Sequence, residues 1–292
     1  MLSYASTLLR EAPGDALALC VLAEDAIEHG QSELAAQRIV QAGVIPPNYP
    51  RATRLIACLA EVFERRGNAT AAAAAYQRLL EAAERCGDVP AVELSIEGLA
   101  RLREEQGDAA DALRWLRRRL PYLPPEAVGA RGTLRLRMSD LAVALGDLDE
   151  ARTQLNAVLE ESPSQRSALV KLLDVYKQLG EPQAALRVLD RLLDLTMTPG
   201  ERAEWLFQRA ELCEKQLGDL DEAATLYEQV LSQWPAHARA LRRLCALAVQ
   251  RGDGPKVTQA VAALARAGAP LADVQVLAGV GLLLDKACAE DG

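Results

Sequence analysis

Cysteine and histidine are the residue types here best suited to nucleophilic or metal chemistry. The chain has six cysteines, Cys20, Cys58, Cys86, Cys213, Cys245 and Cys288, and two histidines, His29 and His237. A nucleophilic thiolate needs a neighbouring base or cation, and a zinc site needs ligands at short, paired spacings. No two cysteines form a C-x-x-C pair, and the histidines lie far apart, both near the ends of helical patterns. Four of the six cysteines sit inside apolar helical runs, where a free thiol packs as a small hydrophobe. Reduced, buried thiols are therefore predicted. G-x-S-x-G, P-loop, H-E-x-x-H and dinucleotide-glycine motifs are all missing. The sequence predicts no catalytic residue, no cofactor and no metal, so the protein is read as a non-enzyme. Carboxylates are abundant, but on helices they are mostly solvated, and their value lies in what positions them.

The positioning elements announce themselves by repetition. Leu145-Gly146-Asp147-Leu148-Asp149-Glu150-Ala151 recurs unchanged as Leu217-Gly218-Asp219-Leu220-Asp221-Glu222-Ala223. Each copy precedes an apolar helical pattern that closes on a proline, Pro163 or Pro235. Looser copies place a glycine in a short polar break and a small apolar residue five positions on: Gly30/Ala35, Gly67/Ala72, Gly107/Ala112, Gly180/Ala185 and Gly252/Val257. Successive glycines lie 34 to 40 residues apart, the period of a helical solenoid with two helices per unit.

One unit shows the physics. Leu169, Leu172, Leu173 and Tyr176 recur at helical spacing and form one apolar face. Gly180 ends that helix by adopting a left-handed backbone at little cost. Pro182 suits the first turn of the next helix, where its missing N–H is not needed. Ala185, Leu186, Leu189, Leu192 and Leu193 then form a second apolar face. Asp147 and Asp219 follow their glycines as helix-capping residues. Helices this short are marginal alone, so the units must stack. Each leucine fully buried by stacking contributes about 1.5–3 kcal/mol.

In this phrase the chain resembles the tetratricopeptide repeat family. The small first-helix residue is Ala23, Ala60, Ala100, Ser139, Ala210 or Cys245, with Leu173 as the exception. The large second-helix residue is Ile39, Tyr76, Leu116, Leu155, Leu189, Tyr227 or Val261, and closing prolines are Pro13, Pro47, Pro124, Pro163 and Pro235. The resemblance implies an all-α fold, a right-handed superhelical solenoid of antiparallel helix pairs, spanning residues 1–292 as one array. About seven units occupy 14–270. Residues 1–13 read as the second helix of an incomplete unit, and 271–290 as a terminal helix that is a cap or half-unit. The units opened by Gly67 and Gly107 exceed the usual length and predict extended helices or loops. One extra residue before Gly218, Gln216 or Leu217, predicts a bulge in that first helix.

The family's first helices line a concave groove for partner peptides. Carried over by position, the groove residue beside the small one is Glu24, Glu61, Arg101, Asp140, Asp174, Glu211 or Ala246. Three residues on stand Ile27, Glu64, Glu104, Val143, Lys177, Glu214 and Val249. The resemblance thus implies an acidic ladder contacted by a basic or amphipathic segment. Such a ladder would repel the C-terminal carboxylate that lysine- and arginine-lined family members clamp. Arginines cluster at Arg239, Arg242 and Arg243, a possible basic end to the groove. A second cluster, Arg114, Arg117, Arg118 and Arg119, lies on a second helix and is expected to face outward.

Composition fits an interaction scaffold or adaptor. The formal net charge is -8 and aromatics are 4% of residues, which argues against nucleic acid as partner. No apolar run reaches the length of about 20 residues needed to span a membrane, and the first residues lack a secretory pattern. A cytoplasmic location is expected, and the alanine- and arginine-rich composition suggests a bacterial source. The alternative reading is an architectural spacer, an oligomerisation module that self-associates through its apolar C-terminal helix, or a regulatory segment of a larger protein.

Overall fold

The computed structural model describes residues 2–47 and 49–268. Those residues form fifteen α-helices and no strand. They belong to two compact units, Met1–Gln154 and Leu155–Gly292. The first holds α1 (Leu2–Glu11), α2 (Ala16–Glu28), α3 (Ser32–Ala42), α4 (Ala52–Arg65), α5 (Ala69–Cys86), α6 (Val89–Glu105), α7 (Ala109–Arg119) and α8 (Val128–Ala144). Helix α9 (Leu148–Glu161) begins in the first unit and ends in the second. The second holds α10 (Arg166–Leu179), α11 (Pro182–Asp194), α12 (Pro199–Leu212), α13 (Leu220–Gln233), α14 (Ala238–Gln250) and α15 (Gly254–Arg266).

Each helix packs chiefly on its chain neighbours. In the first unit α2 meets α3, α4 meets α5 and α6 meets α7, and α3–α4, α5–α6 and α7–α8 join the pairs. In the second unit α10–α11, α12–α13 and α14–α15 form pairs, joined through α11–α12 and α13–α14. Contacts of this range are the mark of a repeat array, in which stability is passed between neighbours. The first helix, α1, packs on α2 and lies where the partial unit over 1–13 is predicted. The predicted terminal helix over 271–290 lies outside the described residues.

The turn chemistry follows the sequence. All seven break glycines take a positive φ, between 68° and 76°, a backbone that favours glycine. The next residue caps the second helix in most units: Asn68 accepts from the Ala71 N–H, Asp108 from Asp111 and Asp253 from Lys256. The twin phrases do the same, Asp147 accepting from the Glu150 N–H at 3.1 Å and Asp219 from Glu222 at 3.0 Å. The small first-helix residues and the small residue after each break are buried, and Leu173 is buried in place of its smaller equivalents. The unit opened by Gly67 is long because α5 has 18 residues and α6 has 17, and the unit opened by Gly107 because a 3-10 turn over Leu120–Tyr122 and a connecting loop precede the 17-residue α8. Before Gly218 the helix widens into a π turn over Cys213–Leu217, which absorbs the extra residue.

Candidate functional site: the first-helix faces

The predicted groove residues project from α2, α4, α6, α8, α10, α12 and the π turn that follows it, and the structure gives most of them a partner within their own unit. In the first unit Glu24 accepts from Tyr49 Oη at 2.8 Å and Arg51 Nη1 at 2.9 Å. Glu64 accepts from Tyr76 Oη at 2.7 Å and, in a two-pronged pair, from Arg101 Nε and Nη2 at 2.6 and 2.7 Å. Glu104 accepts from Arg137 Nε and Nη2 at 2.8 and 2.9 Å, and Arg137 also reaches Glu97 at 2.5 Å. In the second unit Glu214 accepts from Tyr227 Oη at 2.7 Å and faces Arg243 at 3.5 Å. Glu211 takes Lys215 at 2.5 Å and Arg243 at 3.7 Å, and Lys177 donates to Gln208 at 2.6 Å.

The ladder is therefore alternating in charge along much of its length. Glu64, Glu104 and Glu214 each pair with an arginine of the next first helix. That link spans 29 to 37 residues and escapes any scan of one repeat position at a time. Partly exposed pairs of this kind are worth about 0–1 kcal/mol each. Each pair bridges two neighbouring repeats. The π turn preserves this geometry: Glu64 reaches Tyr76 across 12 residues and Glu214 reaches Tyr227 across 13. The widened turn takes up the difference and leaves the carboxylate under the tyrosine hydroxyl.

Charge states follow from these contacts. Burial works to raise the Glu64 pKa, but the hydrogen bonds from Arg101 and Tyr76 outweigh it and hold the carboxyl below the usual range. Burial and Glu64 together push the Tyr76 hydroxyl up, so it remains a donor. Burial lowers Lys177, against the pull of Asp174 and Glu211. The four buried thiols are held protonated. Burial, helped by Glu24, pushes Cys20 up to about 11, and burial also raises Cys58, Cys213 and Cys245. Among the described residues no group of three or more histidine, cysteine or acidic side chains is placed to hold a metal.

Three predicted acids stand exposed: Glu61 in the first unit, and Asp140 and Asp174 on α8 and α10. Glu61 and Asp174 make no hydrogen bond or ion pair among the described residues. The arginine clusters are largely engaged. Arg239 pairs with Glu204 and Arg243 with Glu211 and Glu214. Arg114, Arg117, Arg118 and Arg119 pair with Asp111, Glu150, Glu84 and Glu97.

A concavity that sequence periodicity does not show opens at the α2 end of the first unit. Its volume is about 610 Å³, and Leu17, Val21, Glu24, Pro46, Tyr49 and Pro50 line it. Leu17 is 54% exposed although it belongs to an apolar helix. The loop after α3 builds the opposite wall, and the Tyr49–Glu24 hydrogen bond ties that loop to α2. The three prolines at 46, 47 and 50 were the only sequence signal of a stiff loop there.

Stacked antiparallel helix pairs with glycine-ended first helices and small residues at each crossing define a helical-repeat protein. Residues 136–202 and 171–227 match one sequence pattern of the Tetratricopeptide repeat family, and residues 215–278 match another. The chain is a tetratricopeptide repeat protein. The structure of Naa15/Naa10 bound to HypK-THB superposes with a TM-score of 0.65 at 15% identity, covering 91% of this chain and 39% of that one. The C-terminal part of a TPR repeat-containing protein from Cytophaga hutchinsonii gives a TM-score of 0.51 at 12% identity, covering 83% and 93%. These likenesses concern the fold alone. No curated protein matches the sequence. Proteins of this family generally mediate protein–protein interactions. No described helix is long and apolar enough to cross a membrane.

Proposed function

We propose that the protein is a non-enzymatic scaffold that holds a basic or amphipathic segment of a partner protein on its first-helix faces. The observation that carries this reading is the open concavity at α2, with its apolar floor and an exposed leucine on a first helix. An apolar side chain of the partner would enter between Leu17, Val21 and Tyr49. Basic side chains would be attracted to the carboxylate left open by the internal pairing in the same unit, Glu61. The acids already held by tyrosine and arginine serve as the rigid frame.

Panning a library of random linear peptides against the intact chain tests this. Selected peptides are expected to combine Lys or Arg with a large apolar residue, to bind less tightly as salt rises, and to lose binding to Leu17→Asp and Glu61→Lys chains. Peptides that bind both variants as well as the unchanged chain, or that are predominantly acidic, would overturn the assignment.

A further inference from the structure

The second unit carries another trough, built from α13, α14 and α15. Helix α14 packs against both of the others and forms the floor. One lobe, of about 270 Å³, is lined by Leu231, Leu241, Leu244, Ala260 and Ala263 together with polar rim residues. A second lobe, of about 290 Å³, shares Leu231, Leu241, Ala263 and Arg266 and continues past Pro235 and Ala236. The lobes are contiguous along the α15 wall from Lys256 to Arg266. At 1.5 Å per residue that wall is about 15 Å long, close to three helical turns.

The reason for the trough is legible in residue size. Eight and eleven residues after its break glycine, α15 carries Ala260 and Ala263. The same two steps in α7 carry Trp115 and Arg118, whose guanidinium stacks 5.6 Å from the indole centre. Trp115 is half-buried against the core beside a cavity of its own, whereas Ala260 and Ala263 leave Leu231 and Leu244 partly exposed above the buried Leu241. The rim is charged asymmetrically. On the α15 side Lys256 is exposed, its only ion pair among the described residues a 3.6 Å contact with Asp253. Arg266 donates Nε to the Ala262 carbonyl and has no acidic partner among the described residues. Glu228 stands on the α13 side.

We propose that this trough binds an amphipathic helix of a partner protein, about three turns long. Apolar side chains spaced i, i+4 and i+7 would enter the two lobes. Acidic side chains on the flank facing α15 would meet Lys256 and Arg266. This contact is independent of the first-helix site and takes the opposite charge.

The test uses two synthetic amphipathic helices of about 14 residues, identical in their leucines. One is flanked by glutamates and the other by lysines. Fluorescence anisotropy on the full chain reads binding. The glutamate peptide is expected to bind, and Ala260→Trp to weaken it by about tenfold or more (about 1.4 kcal/mol). The Lys256→Glu/Arg266→Glu chain, altered only at exposed side chains, is expected to prefer the lysine peptide. Glu61→Lys should leave binding unchanged. The proposal is overturned if neither peptide binds, if the charge-reversed chain keeps the original preference, or if light scattering shows a dimer that Ala260→Trp dissolves. That last result would make a second copy of the chain the occupant.

Discussion

Gly98→Ala is the substitution whose sign is most diagnostic of the packing described above. Gly98 lies in the middle of α6, where glycine costs about 1 kcal/mol relative to alanine. On propensity alone the change should stabilise. A Cβ on Gly98, however, would stand 2.5 Å from two carbons of the Tyr76 ring and 2.7 Å from a third. Carbon atoms sit comfortably at about 3.5–4.0 Å, so the ring must retreat by about 1 Å. It has no room: Tyr76 is fully buried, its hydroxyl is held by Glu64, and Glu64 is held by Arg101. Overpacking costs about 1–3 kcal/mol, and loosening a hydrogen bond to a charged acceptor costs about 1.5–3 kcal/mol. Against a gain of about 1 kcal/mol from propensity, the net expectation is a loss of about 1.5–5 kcal/mol. Urea unfolding followed by circular dichroism reads the change in the transition of the first unit. A Tyr76→Leu background supplies the control. With the ring gone, Gly98→Ala should be neutral or stabilising, so the two positions should couple strongly in a double-mutant cycle. If Gly98→Ala raises the midpoint in the unaltered chain, the ring does not pack as described.

Glu64 makes acid stability a second readout. Its carboxyl is held below the usual value, so its contribution is complete above the unfolded glutamate pKa of about 4.3. That contribution is lost as pH falls through the lower folded value. Glu64→Gln should flatten the acid limb of a stability profile between about pH 5 and pH 3, and an unchanged limb would count against the Tyr76–Glu64–Arg101 arrangement. Among the described thiols, Cys86 is exposed and the other four are buried. Mass spectrometry after brief alkylation at neutral pH should find Cys86 modified well before Cys20, Cys58, Cys213 and Cys245, since burial raises all four of those. Early labelling of Cys20 or Cys245 would mean that the helix pairs open more readily than the packing implies. Arg137→Ala removes the arginine paired with Glu104 and one of the two paired with Glu97, which keeps Arg119. Hydrogen exchange should then rise in α6 and α8 with only a modest change in overall stability, and no change in either helix would show that the pairs do not link neighbouring repeats.

The fold was largely written in local patterns. A break glycine, a capping acid and a small residue five positions on act within one turn, so each is visible in a short window. The π turn was legible for the same reason: one surplus residue before Gly218 had to go somewhere, and the Glu214–Tyr227 bond shows why it had to be absorbed without displacing Glu214. The site was less legible. The position of each groove acid followed from the repeat register, but its electrostatic state depended on an arginine one repeat away, as with Glu64 and Arg101 or Glu104 and Arg137. Tyr49 was hidden further, because a loop residue has no periodicity to reveal that it bonds Glu24 and walls a cavity. The alanines of α15 read as ordinary helix formers, because no local pattern shows that they border Leu231 and Leu244.

The central claim is that partners are held on first-helix faces. Hydrogen–deuterium exchange on the full chain, with and without a selected basic–apolar peptide, measures it most directly. The account predicts added protection in α2, in the loop after α3 that carries Tyr49, and in α4 around Glu61, with α3, α5 and α7 unchanged. Protection confined to the second helices, or no change at α2 when the peptide is saturating, would contradict it.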